Sequence, residues 1–339
     1  MPEDREEANA ERAAALPLVT ESARVAELTA LDHNRTDELR EEAVRVLDDL
    51  GRSDLVTARD PPSVDWPGVR EYAAEDAPAD GRLDALARRW ERPYPSLLSV
   101  ELALEDRASF SFVPGQYVAL TFHDTPRPYS LASSPNDDRL RVCVRRVPGG
   151  HLTPELFETM APGDEVTVRG PSGDFVLDEP STRDVAFLAT GTGVAPFRSM
   201  IDYLFEAGLD SRDGEPRDVW LFLGAAWRDD LAYREHFADL AAARDNFHFV
   251  PTLSRERYLT DWDGETAYVQ DVFAKHLDDE AAPPDFDAGG SPATDVDARI
   301  DPGNVDVYAC GISAMVDTLV DTARAAGVPA ERVHGEGYG

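Results

Sequence analysis

A chain of 339 residues that is 42% hydrophobic has the length and apolar content for two or three domains, each with its own core. Its formal net charge of −33, with Lys275 as the single lysine, excludes the basic face that nucleic acid or anionic lipid would require. No run of about 18 apolar residues occurs, so no membrane span is expected.

The acidic opening MPEDREEANAERAAA lacks the apolar core of a secretory signal, and a cytoplasmic protein is expected. Cys143 and Cys310 are too few for a disulfide framework or for an iron–sulfur cluster on this chain. The carboxylate surplus reads as a hydrated surface suited to high salt, a halophilic composition, rather than as a specific acidic binding site.

Residues 1–92 read as a helical N-terminal extension without strands. Thr36 is the expected N-cap of a helix over TDELREEAVRVLDDLG, with Leu39, Val44, Leu47 and Leu50 apolar and Gly51 closing it. A Pro-rich stretch, RDPPSVDWP, breaks the pattern before a second helix over Gly81–Trp90. The sequence leaves three roles open here: a packed cap, a partner-docking arm or a partly disordered segment. His33 reads as a loop residue.

From about residue 93 to 180 the texture changes to short alternating strands, LLSVELAL, SFSFVPGQYVALTF, YSLASS, RLRVCVRRV, DEVTVRG and DFVLD, as in an antiparallel barrel. Within it lies Arg127-Pro128-Tyr129-Ser130. A guanidinium suits a phosphate, a tyrosine ring can stack on a planar heterocycle, and a small hydroxyl can reach a ring nitrogen. A helix over Pro154–Met160, with Thr153 as N-cap, follows Gly149-Gly150-His151-Leu152. Glycines leading into a helix N-terminus form a candidate anion seat.

From residue 181 to 339 strands alternate with helices: DVAFLAT, DVWLFLGAA, NFHFVPTLS and VDVYAC, each leading towards a helical pattern. This predicts a parallel doubly wound sheet, with ligands bound outside the strands' C-terminal ends. GTGVAP (Gly191–Pro196), Ser254-Arg255 and Cys310-Gly311 all fall at such ends and should converge on one crevice. Residues 278–304, acidic and rich in Pro and Gly, read as a surface insertion.

RPYS and GGHLT on a barrel, then GTGVAP, SRE, YVQ, YACG and a terminal GEGY, resemble the ferredoxin–NADP reductase family over residues 95–339. The resemblance implies a six-stranded Greek-key barrel holding FAD and a doubly wound domain holding NADP(H). In this likeness Arg127, Pro128, Tyr129, Ser130, Arg145, Gly150, Leu152 and Thr153 contact the flavin. Thr192, Gly193 and Pro196 form the dinucleotide loop, Ser254 and Arg255 take the 2′-phosphate, and Tyr268 and Gln270 flank the adenine. Cys310 and Gly311 border the nicotinamide, while Glu336 and Tyr338 supply the active-site carboxylate and the covering aromatic. Ser130, Cys310, Glu336 and Tyr338 are thus the catalytic candidates. Thr266 stands where a basic residue is usual, and Trp262-Asp263-Gly264 looks more like NADH-using relatives, so NADH stays open as donor. The implied function is hydride exchange between NADP(H) and FAD, with single electrons passed to a separate ferredoxin or similar small carrier. Arg139, Arg145 and Arg146 are candidate contacts for that carrier. The alternatives are an NADH-dependent reductase component for an oxygenase or cytochrome, and a flavin-binding electron-transfer subunit of a larger complex.

Overall fold

A computed structural model describes residues 8–338 other than 77–80, 148, 151, 213, 279, 284 and 285. His151 of the glycine motif, residues 1–7 of the acidic opening and Gly339 lie outside the described residues. Helix α1 (Asn9–Ala15) comes first. Six strands then build an antiparallel barrel: β1 (Val19–Ala30), β2 (Leu97–Leu104), β3 (Tyr117–Phe122), β4 (Thr125–Ser130), β5 (Leu140–Arg145) and β6 (Glu165–Ser172). Their order is β4-β3-β6-β1-β2-β5, so the last strand returns between β3 and β1 in a Greek key. Leu131, one residue past β4, bridges to Val142 of β5 and nearly closes the ring. Period-two alternation fills the interior: Val118, Leu120 and Phe122 of β3 point in, while Tyr117, Ala119 and Thr121 point out.

Strand β1 overturns the expectation that residues 1–92 lack strands. It pairs with β6 on one side and β2 on the other, at the centre of the barrel. Only Ala23 and Val25 of its residues are fully buried, and Glu21, Arg24 and Glu27 interrupt the apolar pattern. Its hydrophobic signal is therefore too weak to read locally.

Between β1 and β2 the chain inserts a helical cap of α2 (Thr36–Asp49), α3 (Trp66–Asp76) and α4 (Arg82–Trp90). The insertion leaves and re-enters the barrel at one point. Asp32 Oδ2 accepts hydrogen bonds from the Ser96 amide (2.8 Å) and hydroxyl (2.7 Å), and the Leu31 amide donates to the Leu97 carbonyl. Apolar residues at three- and four-residue spacing, Leu39, Ala43, Val46 and Leu47 on α2, meet Leu83 and Leu86 on α4. Trp66 stacks on Trp90 with ring centroids 4.6 Å apart. Thr36 is the first helical residue rather than the cap; its amide and hydroxyl both donate to Asn34 Oδ1. Helix α3 was not expected, because the Pro-rich stretch that ends at Trp66-Pro67 reads as a break in the pattern, although Pro is well tolerated in a first helical turn.

The second domain alternates β7 (Asp184–Thr190), α6 (Val194–Glu206), β8 (Val219–Ala225), α7 (Arg234–Ala243), β9 (Phe247–Leu253), α8 (Val269–Lys275), β10 (Val305–Ile312), α9 (Ser313–Ala325) and β11 (Val333–Tyr338). The sheet is parallel in the order β9-β8-β7-β10-β11. Both faces are covered. Val185, Phe187 and Ala189 of β7 enter one core, and Ala186 and Leu188 enter the other. The first of these cores is shared with the barrel, since Leu97, Ala132, Cys143, Phe175 and Leu177 pack with Phe197, Met200 and Ile201 of α6.

Phe197 is fully buried in this shared core, with its ring 4.9 Å from that of Phe187 and 6.0 Å from that of Phe175. Phe197→Ala should lower unfolding free energy by about 3–5 kcal/mol, measured by denaturant titration. A loss below about 1 kcal/mol would mean that the two domains do not depend on this seam.

Candidate functional site

The barrel and the second domain face one another across a cleft of about 650 Å³. One wall is β4. It joins β3 through a tight turn in which His123 and Asp124 take positive φ (44° and 64°). The turn sets the register that puts Tyr117 opposite Ser130 and Val118 opposite Tyr129. Strand β4 lies at the end of the strand order, where the missing amides of Pro126 and Pro128 cost no ladder bond. Arg127, Pro128, Tyr129 and Ser130 therefore all line the cleft. The Arg127 guanidinium is exposed, and its one hydrogen bond among the described residues is to the Pro126 carbonyl, at 2.8 Å. Burial pushes the Tyr129 phenol up to about 12.

Cys143 and Arg145 from β5 form the floor, followed by Val147, Gly150, Leu152 and Thr153. Helix α5 spans Thr153–Thr159, one residue earlier than expected, and no side chain caps it. The Thr153 hydroxyl instead accepts from the Val147 amide (2.9 Å), and the Gly150 amide donates to the Val147 carbonyl (3.0 Å). The glycine loop is thus folded on itself, and what it offers an anion is the first-turn amides that any helix leaves without internal partners.

The second domain contributes Thr192, Ala195, Glu336, Gly337 and Tyr338. Thr192 and Tyr338 share a hydrogen bond between their hydroxyls at 3.0 Å, bridging the loop after β7 to the end of β11. Strands β7 and β10 are neighbours from which the sheet order runs outward both ways, the switch point where such sheets bind ligands. The chain passes closely there: a Cβ at Gly193 would overlap the Cys310 carbonyl, and one at Gly311 would overlap the Thr190 hydroxyl. Cys310 itself is fully buried, and burial together with nearby Glu336 raises its thiol pKa. Burial, reinforced by Asp174, also raises the Glu336 carboxyl.

Ser254, Arg255, Tyr268 and Gln270 lie outside this cleft, and Pro196 is buried inside the first turn of α6. Ser254 and Arg255 follow β9, with their amides donating to the carbonyls of Ala225 (3.1 Å), the last residue of β8, and Ala226 (2.9 Å), the next. The Arg255 side chain makes no ion pair or hydrogen bond among the described residues. Tyr268 is 64% exposed. The proposed carrier contacts are already engaged: Arg139 with Glu101, Arg145 with Asp230 and Arg146 with Glu158. Sequence reasoning overlooked Tyr117, Cys143, Val147, Ala195 and Gly337. Tyr117 was within reach, since it sits at the start of the same hairpin whose far end carries Ser130.

The cleft fits a flavin dinucleotide. Its volume falls within the roughly 300–1,000 Å³ usual for ligand sites. It combines an open guanidinium, a ring wall and helix amides. Gly193, Cys310 and Gly311 are buried and are not among its lining residues.

Two family models match the chain. A model described as an oxidoreductase FAD-binding domain matches residues 95–177, and one described as an oxidoreductase NAD-binding domain matches 187–321. The chain is 34% identical over 267 residues to ferredoxin–NADP reductase B of Sorangium cellulosum, covering 77% of this chain and 98% of that protein. It is 33% identical over 214 residues to the reductase component of phenol 2-monooxygenase from a Pseudomonas species, covering 62% of this chain but about half (53%) of that relative. Among solved structures, a ferredoxin NADP+ reductase from Neisseria gonorrhoeae with bound FAD and NADP superposes with a TM-score of 0.57 at 21% identity, over 72% of this chain and 93% of that one. The Amycolatopsis cytochrome P450 reductase GcoB gives a TM-score of 0.63 at 23% identity, over 95% and 70%.

A carboxyl whose folded pKa is raised contributes stability that is present below its unfolded value, about 4.3, and is lost as pH rises through the folded value. Glu336→Gln, neutral at every pH, should therefore match the parent's melting temperature in acid and exceed it near neutrality. Equal melting curves at both pH values would show that Glu336 carries no burial penalty.

Proposed function

The chain belongs to the ferredoxin–NADP reductase family of flavin-dependent oxidoreductases, and from that premise we propose that it exchanges hydride between NADP(H) and FAD and passes single electrons to a separate ferredoxin-like carrier. The observation that carries this reading is the cleft in which Arg127, Tyr129 and Ser130 of the barrel face Thr192, Glu336 and Tyr338 of the dinucleotide domain. FAD, when bound, supplies the conversion between two-electron and one-electron chemistry.

The chain's own groups bind, orient and shield. Arg127 and the first-turn amides of α5 take the diphosphate, and Tyr129 stacks on the ring system. Ser130 offers a hydroxyl to the reacting ring nitrogen. Glu336, whose carboxyl pKa burial raises, lines the same cleft and would exchange a proton there. Tyr338 covers the nicotinamide position and swings aside when the dinucleotide enters, giving up its bond to Thr192. Cys310 shapes the nicotinamide seat and does not attack, because a buried thiol with a raised pKa stays protonated.

Ser254 and Arg255 favour NADPH, since a hydroxyl and a guanidinium suit a phosphate better than a bare diol. A second reading makes the protein an NADH-dependent reductase component of an oxygenase or cytochrome. Thr266 is exposed and supplies no charge, and the Trp262 ring packs over Gly264, which favours that alternative. The two buried free cysteines suit a reducing cytoplasm.

The purified protein in molar salt should be yellow and should bleach anaerobically with NADPH at far lower concentration than with NADH; the reverse order would select the second reading. Arg255→Ala should raise KM for NADPH by about 10–100-fold, the worth of hydrogen bonds to a charged group, and leave KM for NADH unchanged. Ser130→Ala should slow flavin reduction about 10²-fold with FAD retained, as loss of one preorganised donor does. An unchanged rate removes Ser130 from the chemistry.

A further inference from the structure

The cap inserted between β1 and β2 reaches the rim where the dinucleotide's adenosine end would be read. Glu256 lies between Arg255 and Arg257 in sequence and is fully buried. Arg35, at the entry to α2, grips it with both arms of its guanidinium: Nη1 donates to Oε2 at 2.8 Å and Nη2 to Oε1 at 2.9 Å. The same Oε2 accepts the Arg228 amide at 2.6 Å. Arg35 Nη1 also reaches Asp229 Oδ1 at 3.4 Å, while Arg89 of α4 pairs with the other Asp229 oxygen. Two cap arginines thus hold carboxylates from both rim loops, 226–230 after β8 and 254–260 after β9.

Both members of the central pair stay charged. Burial opposes the Arg35 charge, but Glu256 and Glu38 outweigh it and its pKa is raised. Burial likewise works against the Glu256 carboxylate, which Arg35 and the Arg228 amide nevertheless hold below the usual range. A buried ion pair adds little stability over an apolar replacement of the same volume; its better-attested use is to fix geometry. What this pair fixes lies one residue away. The Arg255 side chain has no ion pair or hydrogen bond among the described residues, and its backbone amide donates to Ala226 in the same clamped pair of loops.

We propose that Arg35 is a positioning residue for dinucleotide recognition: through its fork on Glu256, the inserted cap holds the Ser254–Arg255 turn in the geometry that favours a 2′-phosphorylated dinucleotide. The inference rests on the reading of Ser254 and Arg255 as the 2′-phosphate pair. Arg35 touches neither dinucleotide nor flavin in this scheme.

Steady-state kinetics with NADPH and NADH, alongside FAD content per chain, test it in the full-length holoenzyme. Arg35→Lys keeps the charge but cannot fork. It should raise KM for NADPH about tenfold, with kcat, FAD content and KM for NADH as in the parent. The paired variant Arg35→Met with Glu256→Met removes both charges together and leaves Asp229 its pair with Arg89, so it should show the same KM split. With Arg255→Ala already present, Arg35→Lys should add nothing further. An unchanged KM for NADPH in a variant with full FAD overturns the proposal, as does a tenfold rise that persists on top of Arg255→Ala. If Arg255→Ala by itself affects both dinucleotides equally, the 2′-phosphate reading fails first; an NADPH-specific effect of Arg255 without one of Arg35 sinks this proposal alone.

Discussion

Two adjacent buried aspartates in the loop after β8 tie the molecule together. Asp229 and Asp230 are each only 4% exposed, and a carboxylate cannot be taken out of water unpaired without losing its charge or the fold. Asp229 meets Arg35 and Arg89 of the cap. Asp230 meets Arg92, where the cap returns to the barrel (2.8 Å), and Arg145 of β5 (3.2 Å). One dipeptide thereby links the inserted helices, the barrel and the dinucleotide domain. Burial opposes the charge on Asp230, yet the two guanidinium groups keep its pKa below the usual value, so this link is electrostatic at neutral pH. The partners are arginines, whose planar forks satisfy several acceptors at once and stay charged when buried.

The apolar seam does complementary work. Helix α6 sets one face on the sheet and the other on barrel residues such as Leu97 and Cys143. Arg198 of the same helix donates to the Ala132 carbonyl at 2.8 Å, and the Tyr308 hydroxyl accepts the Asp178 amide at 2.7 Å. These contacts bring β4 opposite Thr192, Glu336 and Tyr338. The cleft is therefore a property of the domain packing and not of either domain alone. Its floor shows this most directly, since Arg145 lines the cleft while also pairing with Asp230.

Local chemistry made much of this legible. Arg127–Ser130 stands out because a guanidinium, a proline, an aromatic and a hydroxyl in an otherwise alternating hairpin need a reason. Gly193 and Gly311 stand out because strand ends that carry glycines mark close backbone approach, and their missing Cβ atoms are in fact required. The failures also have physical causes. Strand β1 exposes charges along one edge of its pattern, so its apolar period is too faint. Strand β11, VHGEGY, contains two glycines that depress β-propensity, and its pairing with β10 is what makes it a strand. Thr36 looks like an N-cap until Asn34 is seen to bind it.

The sequence by itself determined the two-domain order, the faces of most strands, and the residue types that a flavin and a dinucleotide need at the strand ends. All of these follow from short-range periodicity and backbone restriction, which neighbours in the chain express directly. Only the tertiary structure decided that β1 belongs to the barrel, that the inserted helices form a cap on the dinucleotide rim, and that Arg35 closes on Glu256. That last pair is separated by 221 residues, and its pairing depends on how two surfaces meet, for which no local pattern carries a signal.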